Sequence, residues 1–347
     1  MEFTVDGKFA ALRELGLHAG RTLGEPSLSW RDHRAAWDPA LFAELGALGA
    51  LGVGASPLEA VALLEGLGSA GDVGLALAIG AHGVLCGAPI EALGTPEQRG
   101  LLPSMAGGER VAAISPSEVD GQPTSVTAVD TGSSWRLDGV RAGVVNGPVA
   151  DHFLVTAVTA DGDRTAFLLD LGLPGLEVVT EQDPVALRTR PVADLVLTGC
   201  EVGADAVLGT PGGATTELVP LLAELNRTCL LAPWLGLLRA LADRVTATDL
   251  AWSQSVRLAV VDVRTSAELA ADLLYRAAWD PGASRRNPAL AALFLADAVA
   301  KAVRLAAELH PADHAVARAH RDSTALTAAD REVLRSVIAE SLLALGG

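Results

Sequence analysis

His310, His314 and His320 form the one cluster of imidazoles along the chain. His310 and His314 stand four residues apart, the spacing at which a helix offers two metal ligands on one face. Pro311 falls between them and no third ligand accompanies the pair, so solvated or capping side chains are the expectation. Cys86, Cys200 and Cys229 lie far apart in apolar surroundings, which points to buried, inert thiols and not to a disulfide framework or metal site. No Gly-x-Ser-x-Gly elbow, phosphate-cradling P-loop or dinucleotide-binding glycine pattern occurs. Thr327-Ala-Ala-Asp330 has the form of a capping box, which gives Asp330 a structural reason to be acidic.

The elements that would position chemistry fall into three blocks. Before residue 110 the pattern is helical: Phe9–His18, Trp37–Leu51, a capping-box start at Ser56-Pro-Leu-Glu59 running to about Leu67, and Val73–Cys86, apolar nearly all round. Thr95 and Pro96 cap and open a further helix. From Val111 to Gly209 short strands succeed one another: Trp135–Gly139, Arg141–Val145, His152–Ala157, Thr165–Leu169, Leu176–Thr180 and Asp194–Val202. Asp161-Gly-Asp163 is a hairpin signal. With no long helix between them, these strands are expected to pair antiparallel in a small barrel or sandwich. After Gly213, helices are expected at Glu217–Arg244, Ala251–Trp279 and Pro288–Leu309, followed by a polar connection from His310 to Asp322 and a last helix ending near Leu345. Val256, Val260, Val263, Ala267 and Ala270 recur at helical spacing, as in a four-helix bundle. The boundaries drawn are 1–110, 111–212 and 213–347.

Half of the 347 residues are hydrophobic, enough for a large core, while aromatics make up only 4%. The formal net charge of -16 speaks against nucleic acid or an anionic membrane as the main partner. Lys8 and Lys301 are the only lysines, so a polyanionic ligand would rest on a few arginines or on helix N-termini. The N-terminus lacks the pattern of a secretory signal and no uninterrupted apolar run reaches the ~20 residues of a membrane span; a cytoplasmic protein is expected.

The order helices–strands–helices, with Leu93-Gly-Thr-Pro-Glu-Gln-Arg99 at the first junction, Leu137-Asp-Gly-Val-Arg141 through Asp151 in the strands and Val207-Leu-Gly209 at the exit, resembles the acyl-CoA dehydrogenase family. Gln254-Ser-Val with Asp262-Val263 is similar to that family's Gln-x-Val…Ala-Asp-Met helix. The resemblance covers most of the chain. It implies an α+β, mostly α fold: an N-terminal helical domain, a central antiparallel β-barrel or sandwich and a C-terminal four-helix bundle. It implies FAD lying against the β-domain as hydride acceptor, with a carboxylate as base for the α-proton of an acyl thioester on CoA or a carrier protein. It also implies a homo- or hetero-oligomer.

Carried over position by position, the resemblance assigns Ser115, Ser117, Gly121, Val145, Arg227 and Gln254 to cofactor binding. The family's Thr-Glu-Pro-x-x-Gly-Ser-Asp is here Ser115-Pro-Ser-Glu-Val-Asp-Gly-Gln122. Gly143, Val144 and Val145 replace a flavin-packing Trp and Thr. The interval between Gly236 and Gln254 is short by roughly two to three helical turns where an Arg-x-x-Phe-Gly segment would fall. One family position for the base is Asn226, an amide that takes no proton at neutral pH; the other falls at Asp330 or Ala328, depending on the direction of counting. Asp330 is the catalytic candidate. The function implied is α,β-oxidation of an acyl thioester. Two alternatives stand beside it: a catalytically degenerate partner subunit of a heteromeric dehydrogenase, and an oxidase or monooxygenase of the same fold.

Overall fold

The computed structural model describes residues 7–38, 40–119, 124–180, 184–247, 253–279, 286–327 and 331–344. Helices Gly7–Ala19, Glu25–Arg34, Leu41–Ala47, Pro57–Ser69, Pro96–Arg99 and Leu102–Gly107 surround a continuous helical rod, Val73–Leu93. The capping box expected at Ser56 and the cap expected at Thr95 are both formed, the latter as a full box, while the box expected at Thr327-Ala-Ala-Asp330 reaches outside the described residues. Glu59 accepts from the Ser56 amide at 2.8 Å, and Thr95 and Gln98 exchange side chain-to-backbone bonds at 3.0 and 3.2 Å. Gln98 Nε2 also donates to the carbonyls of Asp205 and Val207, tying this helix start to the edge of the sheet.

Val73–Leu93 is long and apolar enough to cross a membrane by length and composition, although His82 and Glu91 interrupt its apolar run, yet 94% of its most apolar window is buried against the rest of the protein. It is a core helix. Its middle, Ala81–Cys86, widens into a π-helical segment that brings His82 to the sheet. His82 Nδ1 accepts from the Ala112 amide at 3.0 Å, so the neutral ring must donate through Nε2 to the Met105 carbonyl, also at 3.0 Å. Asn146, in the left-handed region at φ 68°, donates from Nδ2 to the carbonyls of Ala78 and Ala112.

The strands are β1 (Ala112–Ile114), β2 (Thr127–Asp130), β3 (Trp135–Val145), β4 (His152–Val158), β5 (Arg164–Asp170), β6 (Leu176–Thr180), β7 (Val192–Val202) and β8 (Val207–Leu208). They form one eight-stranded sheet in the order β6-β7-β3-β1-β4-β5-β8, with β2 pairing β3 and β4. The expectation of purely antiparallel pairing is corrected: β1 and β2 each run parallel to β4, because both run antiparallel to β3 and the chain reverses again at Gly147–Val149 between β3 and β4. The two stretches read as separate strands around Val140 are one, β3, kept continuous by irregularities at Gly139 and Gly143. A Cβ at Gly139 (φ +134°) would run into the Ser125 carbonyl. The Asp161–Asp163 hairpin joins β4 to β5 as expected, with Val158 opposite Arg164.

The C-terminal part comprises Leu218–Thr228, Ala232–Thr246, Gln254–Trp279, Arg286–Leu309, His314–Thr327 and Arg331–Ala344. The long helix expected over 217–244 is broken by a 3-10 turn at Cys229–Leu231, with Pro233 in the first turn of the next helix. The expected polar connection after His310 is corrected as well. Asp313 caps a helix there, accepting from the amides of Ala315 and Val316. Arg286–Leu309 packs against four of the other five helices of this part most extensively, and both sets of helices share one hydrophobic core. A second core fills the sheet around Phe153, Phe167, Leu137 and Leu197.

Burial pushes the His82 imidazolium down to about 4 from an ordinary 6.5. An unfolded chain therefore takes up a proton below pH 6.5 that the folded one refuses. Stability should be full above about pH 6.5 and fall as pH drops toward about 4, by roughly 3 kcal/mol at 1.36 kcal/mol per pKa unit. Urea unfolding at about pH 7 and pH 4 should show a smaller pH-dependent loss in His82→Gln than in the wild type; equal losses would exclude His82 as the source.

Candidate active site

A cleft of about 660 Å³ opens where the core helix, the sheet and the C-terminal helices meet. Leu77, Ala81 and Leu85 supply one wall, a single face of Val73–Leu93 repeating at helical spacing. Ile114, Pro116, Val119 and Val145 supply the sheet wall, and Leu230, Leu231 and Trp234 the wall from the broken helix. Leu326, Val333 and Leu334 close it from the last two helices. The break at Cys229–Leu231 matters here, since it turns Leu230 and Leu231 inward beside Asn226 and Arg227, the polar residues of that wall.

Among the site residues expected from the sequence, Val145 and Arg227 line this cleft. Ser115 and Ser117 flank it but turn their hydroxyls into the sheet. Ser115 Oγ donates to the Ala142 carbonyl at 2.8 Å, and Ser117 Oγ accepts from Arg141 at 2.9 Å, leaving Pro116 and Val119 on the cleft side. Gln254 is exposed at the start of its helix and is not part of the cleft wall. Gly121 and Asp330 lie outside the described residues.

Directly behind the sheet wall sits a buried ion pair that sequence reasoning missed. Glu118 and Arg141 are 1% and 3% exposed, with Nε and Oε1 2.8 Å apart. Glu118 also accepts from the Thr156 amide at 3.0 Å and from its hydroxyl. Burial raises the carboxyl above its usual range while Arg141 pulls it back, and burial lowers the Arg141 guanidinium. The pair fastens the turn Pro116–Val119 to β3 and β4 and so fixes the wall. The signal was legible only in part, as an acid and a base in segments that alternation alone does not bring together.

Leu187 and Arg190, also missed, reach the cleft from the connection between β6 and β7. Leu187 holds φ at 54°, a conformation uncommon for a side chain of its size. Three tethers hold it there. Its amide donates to Asp322 at 2.8 Å, Arg188 donates to the Asp32 carbonyl at 2.6 Å, and Thr189 donates to Asp72 at 2.6 Å. Asp72 in turn pairs with the fully buried Arg31 at 2.7 Å.

The charge inventory of the cleft is one-sided. Arg190 and Arg227 line it, and among the described residues no Asp or Glu does. Glu224, one helical half-turn before Asn226, stands outside it, its carboxyl raised by partial burial.

Helices, one mixed sheet and further helices meeting at this cleft form the fold of the acyl-CoA dehydrogenases. A TM-score of 0.89 relates the fold to butyryl-CoA dehydrogenase of Megasphaera elsdenii, with 23% identity and coverage of 99% of this chain and 100% of that one. Residues 24–109 match the family model described as acyl-CoA dehydrogenase, N-terminal domain. The short-chain-specific acyl-CoA dehydrogenase of Megasphaera elsdenii is 28% identical over 285 residues, covering 73% of this chain and 74% of that protein. L-prolyl-[peptidyl-carrier protein] dehydrogenase of Pseudomonas fluorescens is 28% identical over 273 residues, covering 72% and 71%. The chain is thus similar to acyl-CoA dehydrogenases in fold along nearly its whole length and in sequence over its N-terminal part most clearly.

Arg141→Met would leave Glu118 buried without its cation and should cost about 3–5 kcal/mol in urea unfolding. The double change with Glu118→Gln should recover most of that loss. A single variant as stable as the wild type would show that the pair does not hold the wall.

Proposed function

We propose that this chain is a flavoprotein of acyl-CoA dehydrogenase type, holding FAD against the sheet wall of the cleft and acting on an acyl thioester carried by CoA or a carrier protein. The observation that carries the proposal is the cleft itself, apolar on three sides and bounded by the sheet at Ile114 and Val145. Its volume of about 660 Å³ lies within the usual ~300–1,000 Å³ of small-molecule sites. Chains of this fold have been solved with FAD bound. The sheet wall at Ile114 and Val145 fits a flat, largely apolar ring system, and the Asn226 amide and Arg227 guanidinium offer polar contacts to the acyl ligand beside it. When bound, FAD would supply the hydride acceptor. The residues of this chain exclude water through Leu77, Leu85, Leu230 and Trp234 and orient the ligand through Asn226 and Arg227.

One observation favours a second reading. No carboxylate lines the cleft among the described residues, and Asn226 cannot remove a proton at neutral pH. A degenerate partner subunit, or an oxidase or monooxygenase of the same fold, needs no such base.

The visible spectrum of the chain purified alone, with excess FAD and after desalting, tests the proposal. Retained flavin absorbance is expected; a colourless protein would overturn a stand-alone flavoprotein and favour the partner-subunit reading. In the flavin-loaded chain, Asn226→Glu places a carboxylate in the cleft wall and should increase the rate of anaerobic flavin bleaching by a short acyl thioester at least tenfold. An unchanged rate would show that the missing base at this position does not limit the chemistry.

A further inference from the structure

The two fully buried arginines meet carboxylates, Arg31 with Asp72 and Arg141 with Glu118, and the partly exposed Arg239 and Arg321 pair with Glu65 and Asp32. Arg227 does not. It lines the cleft, is partly buried, and makes no ion pair or side-chain hydrogen bond among the described residues. The departure is not for want of acids, since the chain has 42 Asp and Glu against 26 Lys and Arg. A guanidinium in an apolar cleft loses hydration that a counter-ion restores, and none is supplied by the described walls.

We propose that Arg227 recognises a carboxylate on the ligand, with the Asn226 amide beside it as a second donor. The substrate class is then a short acyl group that ends in a free carboxylate. The thioester part of that description rests on the function proposed above; the carboxylate part rests on the cleft alone. The apolar walls formed by Leu77, Leu85, Leu230 and Trp234 take the hydrocarbon body, and one unpaired guanidinium balances one negative charge, in bidentate geometry. A phosphate dianion would leave surplus negative charge among apolar side chains.

Binding of glutarate, of glutaramide and of inorganic phosphate to the full-length chain, followed by calorimetry, tests the assignment. FAD is titrated in a separate arm. Glutarate should bind at least tenfold more tightly than glutaramide. Arg227→Met should abolish that preference and Arg227→Lys should keep part of it. Because Arg227 has no structural partner among the described residues, both variants should match the wild type in far-UV circular dichroism; should the Met variant fail to fold, the Lys variant carries the comparison. Equal affinity for glutarate and glutaramide, a preference that survives Arg227→Met, or Arg227-dependent binding of phosphate without glutarate would each overturn the proposal. Failure of FAD alone would instead sink the flavoprotein reading and leave the carboxylate result standing.

Discussion

A helix that is apolar on every side must be enclosed, and the enclosure of Val73–Leu93 organises this protein. Burying it removes from water not only its side chains but any backbone group its own turns leave unpaired, and each such group needs a partner. The wide turn at Ala81–Cys86 creates that requirement next to the sheet. The Asn146 amide meets part of it by reaching the Ala78 carbonyl of the helix as well as Ala112, while the His82 side chain, carried by the helix, satisfies the Ala112 amide and the Met105 carbonyl. The same contacts bring the face carrying Leu77, Ala81 and Leu85 against β1 and the end of β3. The cleft is thus what remains between a fully buried helix and the sheet that seals it. Its wall is as firm as that seal.

Fastening continues away from the cleft in a chain of buried charges. Arg31 and Asp72 anchor Thr189, Asp322 holds the Leu187 amide, and Arg321 joins Asp32 to Asp322. These bonds draw the β6–β7 connection onto both sets of helices and keep Leu187 in a backbone conformation that costs on the order of 1–3 kcal/mol. Such pairs add little net stability when replaced whole by apolar residues, but breaking one partner exposes the other. Their effect is geometric. They fix where Leu187 and Arg190 stand in the cleft wall.

Local signals were legible in the sequence and non-local ones were not. Ser56 and Thr95 announced helix starts, and Asp161-Gly-Asp163 announced a hairpin, because each element is specified by three or four consecutive residues. β1 and β2, with three and four residues, are too short for alternation to show. Their parallel pairing with β4 depends on chain routing that no window contains. Glu25–Arg34 was overlooked because its polar face dominates. The break at Cys229 and the helix after Asp313 were signalled, by Pro233 and by the capping aspartate, and were read past. Val145 and Arg227, carried over by family position as cofactor-binding residues, line the cleft. Ser115 and Ser117 occupy the expected segment, but Arg141 and the Ala142 carbonyl take up their hydroxyls. A pattern of residue types locates a side chain along the chain; its rotamer is set by partners elsewhere.

The absence of acids from the described cleft walls bears on chemistry in two opposed ways. It removes the group that would take a proton from a substrate, and it leaves Arg227 without a counter-ion among those walls. In a low-dielectric cleft the second effect is strong, because attraction between a cation and a ligand anion is weakly screened there. A wall carboxylate next to Arg227 would neutralise it and forfeit that attraction. Base and anion recognition therefore compete for the same few cubic ångströms. With Asn226 in place of an acid, the balance of this cleft lies toward binding an anion.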